Sequence, residues 1–103
     1  MRFVIFGAGG HSREVADLVV ASGHEICGFQ DDHATGEHRP TGLAVVSEWR
    51  ELDAQAATIA IGDTGAREAV YARLRGDIAL PVLAHPSACV SVYARVGDGT
   101  QVM

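Results

Sequence analysis

Lysine is absent from this sequence: all eight basic residues are arginine, against thirteen acidic residues, and the formal net charge is −5. The arginines form no patch, which excludes a protein that grips the phosphate backbone of nucleic acid. Cysteine is scarce. Cys27 and Cys89 are far apart and match no metal or redox spacing, so neither a disulfide framework nor a metal site is expected. Long apolar runs are missing too; none approaches the roughly 20 residues of a membrane span. The apolar stretch near the N-terminus is too short for a secretion signal, and no small-residue cleavage site follows it. The expectation is a reduced, cytoplasmic protein. What is present suits a folded domain: 48% hydrophobic and 20% charged residues in a chain of 103. That is enough for one domain and too little for two.

Short apolar runs alternate with amphipathic stretches. Arg2-Phe3-Val4-Ile5-Phe6 is rich in β-formers and stops at Gly7, which predicts a buried strand. Over residues 12–22, Val15, Leu18 and Val19 recur at helical spacing opposite Arg13, Glu14 and Asp17, and Gly23 is a helix stop. A second strand over 26–29 completes a βαβ unit with parallel strands. Residues 31–42 are polar, contain Gly36, Pro40 and Gly42, and predict a loop. A third strand follows over 43–46. Ser47 is expected to cap a short helix with Trp49 and Leu52 on one face. A fourth strand over 58–61 leads to a helix capped by Thr64, with Ala66, Ala69, Val70 and Leu74 inward. Arg73 and Arg75 lie at its C-terminal end, where cations suit the dipole, and Gly76 closes it. A fifth strand is expected over 81–84. The alternation predicts an α/β fold, a Rossmann-like open parallel sheet of about five strands.

After His85-Pro86-Ser87 the texture changes. Val90, Val96 and Val102 are six apart, as are Ala88 and Ala94, and Gly97 directly follows Val96. One inward aliphatic per six residues is the texture of a hexapeptide β-helix, whose coil takes about eighteen residues. Such repeats need neighbours to bury their faces. Residues 85–103 therefore read as its unfinished start, and residues 1–84 as a nucleotide-binding domain. A plain strand tail fits the same spacing. No nucleophile–base pair is recognisable, so Ser87 reads as a turn residue.

Three loops carry the candidate site. In Gly7-Ala8-Gly9-Gly10-His11-Ser12, Gly7 allows the tight turn, Gly9 lets a ligand approach the backbone, and helix-start N–H groups face an anion. The dinucleotide fingerprint wants a third glycine where Ser12 stands, and glycines also serve helix–sheet packing alone. His11 suits a hydrogen bond to a diphosphate or sugar, or simply faces solvent. Asp31 and Asp32 follow the second strand, where a carboxylate accepts from ribose hydroxyls; paired aspartates also form turns. Ile61, Gly62 and Asp63 follow the fourth strand on the same carboxyl edge. Ligands of open α/β sheets bind at that edge, so the convergence outweighs any single motif. His24, His33 and His38 form no ligand pattern and read as surface residues.

These runs resemble the N-terminal domain of the bacterial sugar O- and N-acyltransferases, the family of sialic-acid O-acetyltransferases and UDP-amino-sugar N-acetyltransferases. The resemblance rests on Val4-Ile5-Phe6-Gly7-Ala8-Gly9-Gly10-His11-Ser12-Arg13-Glu14-Val15. It continues in Gly28-Phe29-Gln30-Asp31-Asp32, and in Ala60-Ile61-Gly62-Asp63 with Arg67 beyond. It extends to Ala84-His85-Pro86-Ser87-Ala88-Cys89-Val90-Ser91 and Ala94-Arg95-Val96-Gly97-Asp98-Gly99-Thr100. It implies a Rossmann-like domain that holds a UDP-sugar or related nucleotide-sugar, for surface-glycan biosynthesis. A following left-handed β-helix would trimerise and bind acetyl-CoA as co-substrate. Residues 7–11 would face the diphosphate and sugar, Asp31 and Asp32 would meet the uridine, and Ile61 and Gly62 would flank it. A β-helix histidine would be the general base, expected beyond Met103, so this chain would bind the acceptor without catalysing. Thr64 stands where the family often has asparagine, and the loop after Asp32 carries His33 in place of a lysine.

Two other classes fit part of the pattern. An NAD-binding half-domain of an oxidoreductase fits the turn and the acids, but not Ser12 or the missing second mononucleotide half. A non-catalytic nucleotide- or CoA-sensing module fits if the chain is a complete protein.

Overall fold

The computed structural model describes residues 1–33, 35–85 and 99–102. The expected hexapeptide run over 86–98, with Cys89, lies outside the described residues. The first strand, β1 (Arg2–Phe6), alternates its side chains between the two sheet faces. Phe3 and Ile5 join one core, with Val15, Leu18 and Val19 of helix α1 (Ser12–Ala21). Val4 and Phe6 join the other, with Leu74 and Leu80. Both faces are covered, which is why residues 3–6 of β1 are apolar without a break.

The remaining strands are β2 (Glu25–Gln30), β3 (Gly36–His38), β4 (Leu43–Val46) and β5 (Ala56–Ile59). The sheet order is β3-β4-β2-β1-β5. β4, β2, β1 and β5 run parallel, and β3 is an antiparallel edge. The chain runs outward from β1 through β2 to β4, then crosses to the far side of β1 for β5. The switch point therefore lies between β1 and β5. Gly23 ends α1 as expected: its φ is +83°, and the N–H groups of Gly23 and His24 bond Val20 and Val19.

Several sequence expectations are corrected. Residues 31–42 are not all loop, because residues 39–42 fold the chain back and lay β3 against β4 as a hairpin. The run over 81–84 does not enter the main sheet. Its last two residues form β6 (Leu83–Ala84), which pairs in parallel with β7 (Gln101–Val102). Leu83 nevertheless plugs the α1-side core. The short helix is a 3-10 turn over Trp49–Glu51, capped by the Glu48 carboxylate, which accepts from the Arg50 N–H. That bond holds the Glu48 carboxyl below its ordinary range. Helix α2 (Thr64–Leu74) is capped by Asp63, one residue before the expected Thr64. Of its expected inward residues only Leu74 is buried. Val70 is half-buried, while Ala66 and Ala69 are exposed, because one flank of α2 borders a cleft instead of core.

Candidate functional site

The tips of β1, β2 and β5 end level with one another: Phe6 pairs with Gln30 on one side and with Ile59 on the other. The loops that leave these tips are therefore forced together at the carboxyl edge, at the switch point. They enclose a cleft of about 380 Å3. Gly7, Gly9, Gly10 and His11 line it from β1, Asp31 and Asp32 from β2, and Ile61 and Gly62 from β5. Asp63 stands apart from this lining. Its carboxylate accepts the Ala66 N–H at 2.8 Å as the α2 cap.

The glycines divide by role. Gly7 has φ +104°, and an added Cβ would lie 2.7 Å from the Ala60 carbonyl; the turn cannot close with a side chain there. Cβ atoms on Gly9, Gly10 or Gly62 would meet nothing within 4 Å. Those positions keep the backbone open to the cleft. The Ala8 N–H donates to Asp31 Oδ2 at 3.0 Å. The N–H groups of Gly9, Gly10 and His11 find no acceptor among the described residues, and they begin a helix whose dipole favours an anion. His11 is the α1 N-cap in backbone position, but its side chain makes no capping bond.

The two aspartates also divide. Asp31 is half-buried and builds the wall: besides Ala8, it accepts the His33 N–H at 2.8 Å. Asp32 is exposed at the cleft. Beneath the turn, Ser12 is 1% exposed and fills the place of the third fingerprint glycine. Its hydroxyl donates to the Gly9 carbonyl at 2.5 Å and lies 2.8 Å from His38 Nε2. His38 is thus not the surface residue expected from sequence. It is 4% exposed, stacked on Phe29 at 4.0 Å, and burial pushes its pKa below the ordinary imidazole value.

Other lining residues escaped sequence reasoning. Gln30 is buried and its side-chain carbonyl accepts the Trp49 N–H at 2.6 Å, fixing one wall. Ala66, Val70 and Arg73 line the opposite side. Their i, i+4, i+7 spacing placed them on one helical face, but nothing local marked that face as cleft. Arg73 is the cation among the lining residues. Among the described residues no group of three or more His, Cys, Asp or Glu side chains is placed to hold a metal. No described helix is long and apolar enough to cross a membrane.

A mostly parallel sheet with a helix on each face, a glycine turn after β1 and an acidic tip on β2 defines a Rossmann-like α/β domain. Residues 2–74 match the model of the PglD N-terminal domain family. The chain belongs to this family, the N-terminal domain of the sugar acyltransferases. Its whole length superposes on GDP-perosamine N-acetyltransferase from Caulobacter crescentus. A histidine-to-alanine mutant of that enzyme, in complex with CoA and GDP-perosamine, matches with a TM-score of 0.87 and 30% identity. PerB from the same organism, with the same two ligands, matches with a TM-score of 0.84 and 29% identity. The chain covers 100% of itself but 51% of either enzyme, so it spans about half their length. No curated protein sequence matches it.

Proposed function

We propose that this chain is the acceptor-binding domain of an acetyl-CoA-dependent sugar N- or O-acetyltransferase, and that a nucleoside diphosphate sugar occupies the switch-point cleft. The observation that carries this reading is the convergence of three features in one cleft: turn N–H groups with no acceptor among the described residues, the exposed Asp32 and Arg73 of α2. A diphosphate suits the N–H groups of residues 9–11 and the guanidinium of Arg73, the one arginine among the described residues of a lining that also carries Asp31 and Asp32. Ribose hydroxyls suit Asp32, because Asp31 is occupied with the Ala8 and His33 N–H groups. Ile61 offers an apolar flank to the base. The GDP-perosamine complexes of the similar enzymes support a guanine nucleotide beside the uridine nucleotide expected from sequence.

The chain's contribution to the reaction is to hold and orient the acceptor. Acetyl-CoA supplies the thioester; the acceptor amine or hydroxyl attacks its carbonyl, loses a proton to a base, and the CoA thiolate leaves. We assign that base, the CoA surface and trimer contacts to a left-handed β-helix. The pairing of β6 with β7 supports this: Leu83 pairs with Gln101 and Ala84 with Val102, each eighteen positions on. A coil of three hexapeptides has that period. The domain line then falls just before Leu83, two residues earlier than the sequence texture placed it. Calorimetric titration with GDP- and UDP-linked amino sugars tests the reading: wild type binds one of them, and Gly9→Val does not. Enhanced NADH fluorescence with no nucleotide-sugar binding would favour the oxidoreductase reading instead.

A further inference from the structure

We propose that His38 is a positioning residue for the glycine turn, acting through Ser12 to aim the Gly10 N–H at the bound ligand. This rests on the nucleotide-sugar reading of the cleft. The Ser12 hydroxyl has one proton, and it goes to the Gly9 carbonyl at 2.5 Å. At the 2.8 Å contact with His38 Nε2, the serine oxygen must therefore accept. That makes Nε2 the protonated ring nitrogen. On the other side, Nδ1 lies 2.8 Å from the Thr41 hydroxyl, which accepts the Leu43 N–H at 3.3 Å and has a second, longer acceptor for its proton in the His38 carbonyl at 3.5 Å. We assign the proton to the shorter contact, so that Thr41 donates to Nδ1 and the ring is neutral. The proton direction runs one way, from Thr41 through His38 and Ser12 to Gly9.

The Gly9 carbonyl also accepts the Ser12 N–H at 3.0 Å, so it is held from two sides. A peptide group is planar and trans. With the Gly9 oxygen pinned beneath the turn, the Gly10 N–H of the same peptide points the opposite way, to the open side where Gly9, Gly10 and His11 line the cleft. An added Cβ on either glycine would meet nothing within 4 Å, so both positions are open. Its orientation depends on the buried chain of bonds below. His38 sits on β3, the antiparallel edge that the parallel fold does not require. The hairpin thus gives the turn a support that a third glycine could not supply.

The ring's charged surroundings do not compete for it. Glu37 and Arg39 flank His38 on its own hairpin and are exposed, as are Arg13 and Asp17 on α1, which share a surface hollow with Arg39 and Thr41. Phe29 of β2 covers one ring face. Burial alone lowers the ring's proton affinity, which keeps the directional chain intact at neutral pH.

The test combines NMR with titration on the intact protein. Nitrogen-15 spectra should show neutral His38 protonated at Nε2. Ser12→Ala and His38→Leu should move the Gly10 amide resonance in the same direction and weaken nucleotide-sugar binding about five- to tenfold each. The double variant should lose no more than either single one. His38→Gln, which keeps an N–H near the Nε2 position, should recover most of the affinity; if His38→Leu does not fold, His38→Ala takes its place as the variant that removes the donor. Losses that multiply in the double variant, or a Gly10 resonance unmoved when the His38 donor is removed, would overturn the proposal. If Gly10 responds as expected but wild type binds no nucleotide-sugar, the ligand reading fails and the positioning role stands.

Discussion

The carboxylate of Asp31 accepts the Ala8 N–H at 3.0 Å, across 23 residues of sequence. One side chain at the tip of β2 thereby fixes the entrance to the glycine turn at the tip of β1. It also accepts the His33 N–H at 2.8 Å, which closes a turn after β2 at the wall of the cleft. Asp31→Ala strands the partly buried Ala8 N–H and leaves the exposed His33 N–H to water. We expect it to lower unfolding stability by about 1–3 kcal/mol, read by urea denaturation. Asp32→Ala, at an exposed position, should leave stability within about 0.5 kcal/mol while weakening nucleotide-sugar binding.

The glycines should separate in the same way. Gly7→Ala places a Cβ 2.7 Å from the Ala60 carbonyl at φ +104°, and should destabilise the fold by about 1–3 kcal/mol. Gly10→Ala meets nothing within 4 Å. Its melting temperature should stay near that of wild type while ligand affinity falls. Thermal melts with and without nucleotide-sugar distinguish the two.

Arg73 is exposed and is the cation of the cleft lining. Arg73→Gln should reduce affinity for a nucleoside diphosphate about three- to tenfold at low ionic strength, and less as salt screens the charge. Titrations at two salt concentrations check this. Equal losses at both would assign Arg73 a role other than charge.

His38 gives the fold a pH dependence of known sign. Its folded pKa lies below the ordinary value because the ring is buried. As pH falls below about 6.5, the unfolded chain takes up a proton that the folded chain refuses. Stability should therefore decline from there down to the folded pKa and level off beneath it. His38→Gln should remove that component from the stability–pH curve.

The sheet and its cleft were largely legible before the structure. The apolar runs at 2–6 and 43–46 and the glycine stops have local causes, and local causes can be read locally. The three loops met as expected because strand tips of a parallel sheet end on one edge. What escaped was long-range. β3 has no apolar run, and it exists because residues 39–42 turn it back onto β4. His38 looked like a surface histidine because its partners, Ser12 and Phe29, are distant in sequence. Thr64 looked like a cap, but Asp63 reaches the Ala66 N–H first. Arg73 was assigned to the helix dipole because only the cleft reveals its second face. The run expected as a strand over 81–84 pairs instead with the distant β7, whose Gln101 amide donates to the Thr58 hydroxyl and the Ile59 carbonyl at 2.6 and 2.8 Å.

Calorimetry of wild type and Gly9→Val against GDP- and UDP-linked amino sugars puts the acceptor-holding role at risk most directly. Gly9 has open space around it, so valine should fold and block the approach of a diphosphate. Saturable binding by wild type, lost by at least about tenfold in Gly9→Val, is the predicted result. Equal heats from the two proteins, or none from either at millimolar ligand, would contradict it.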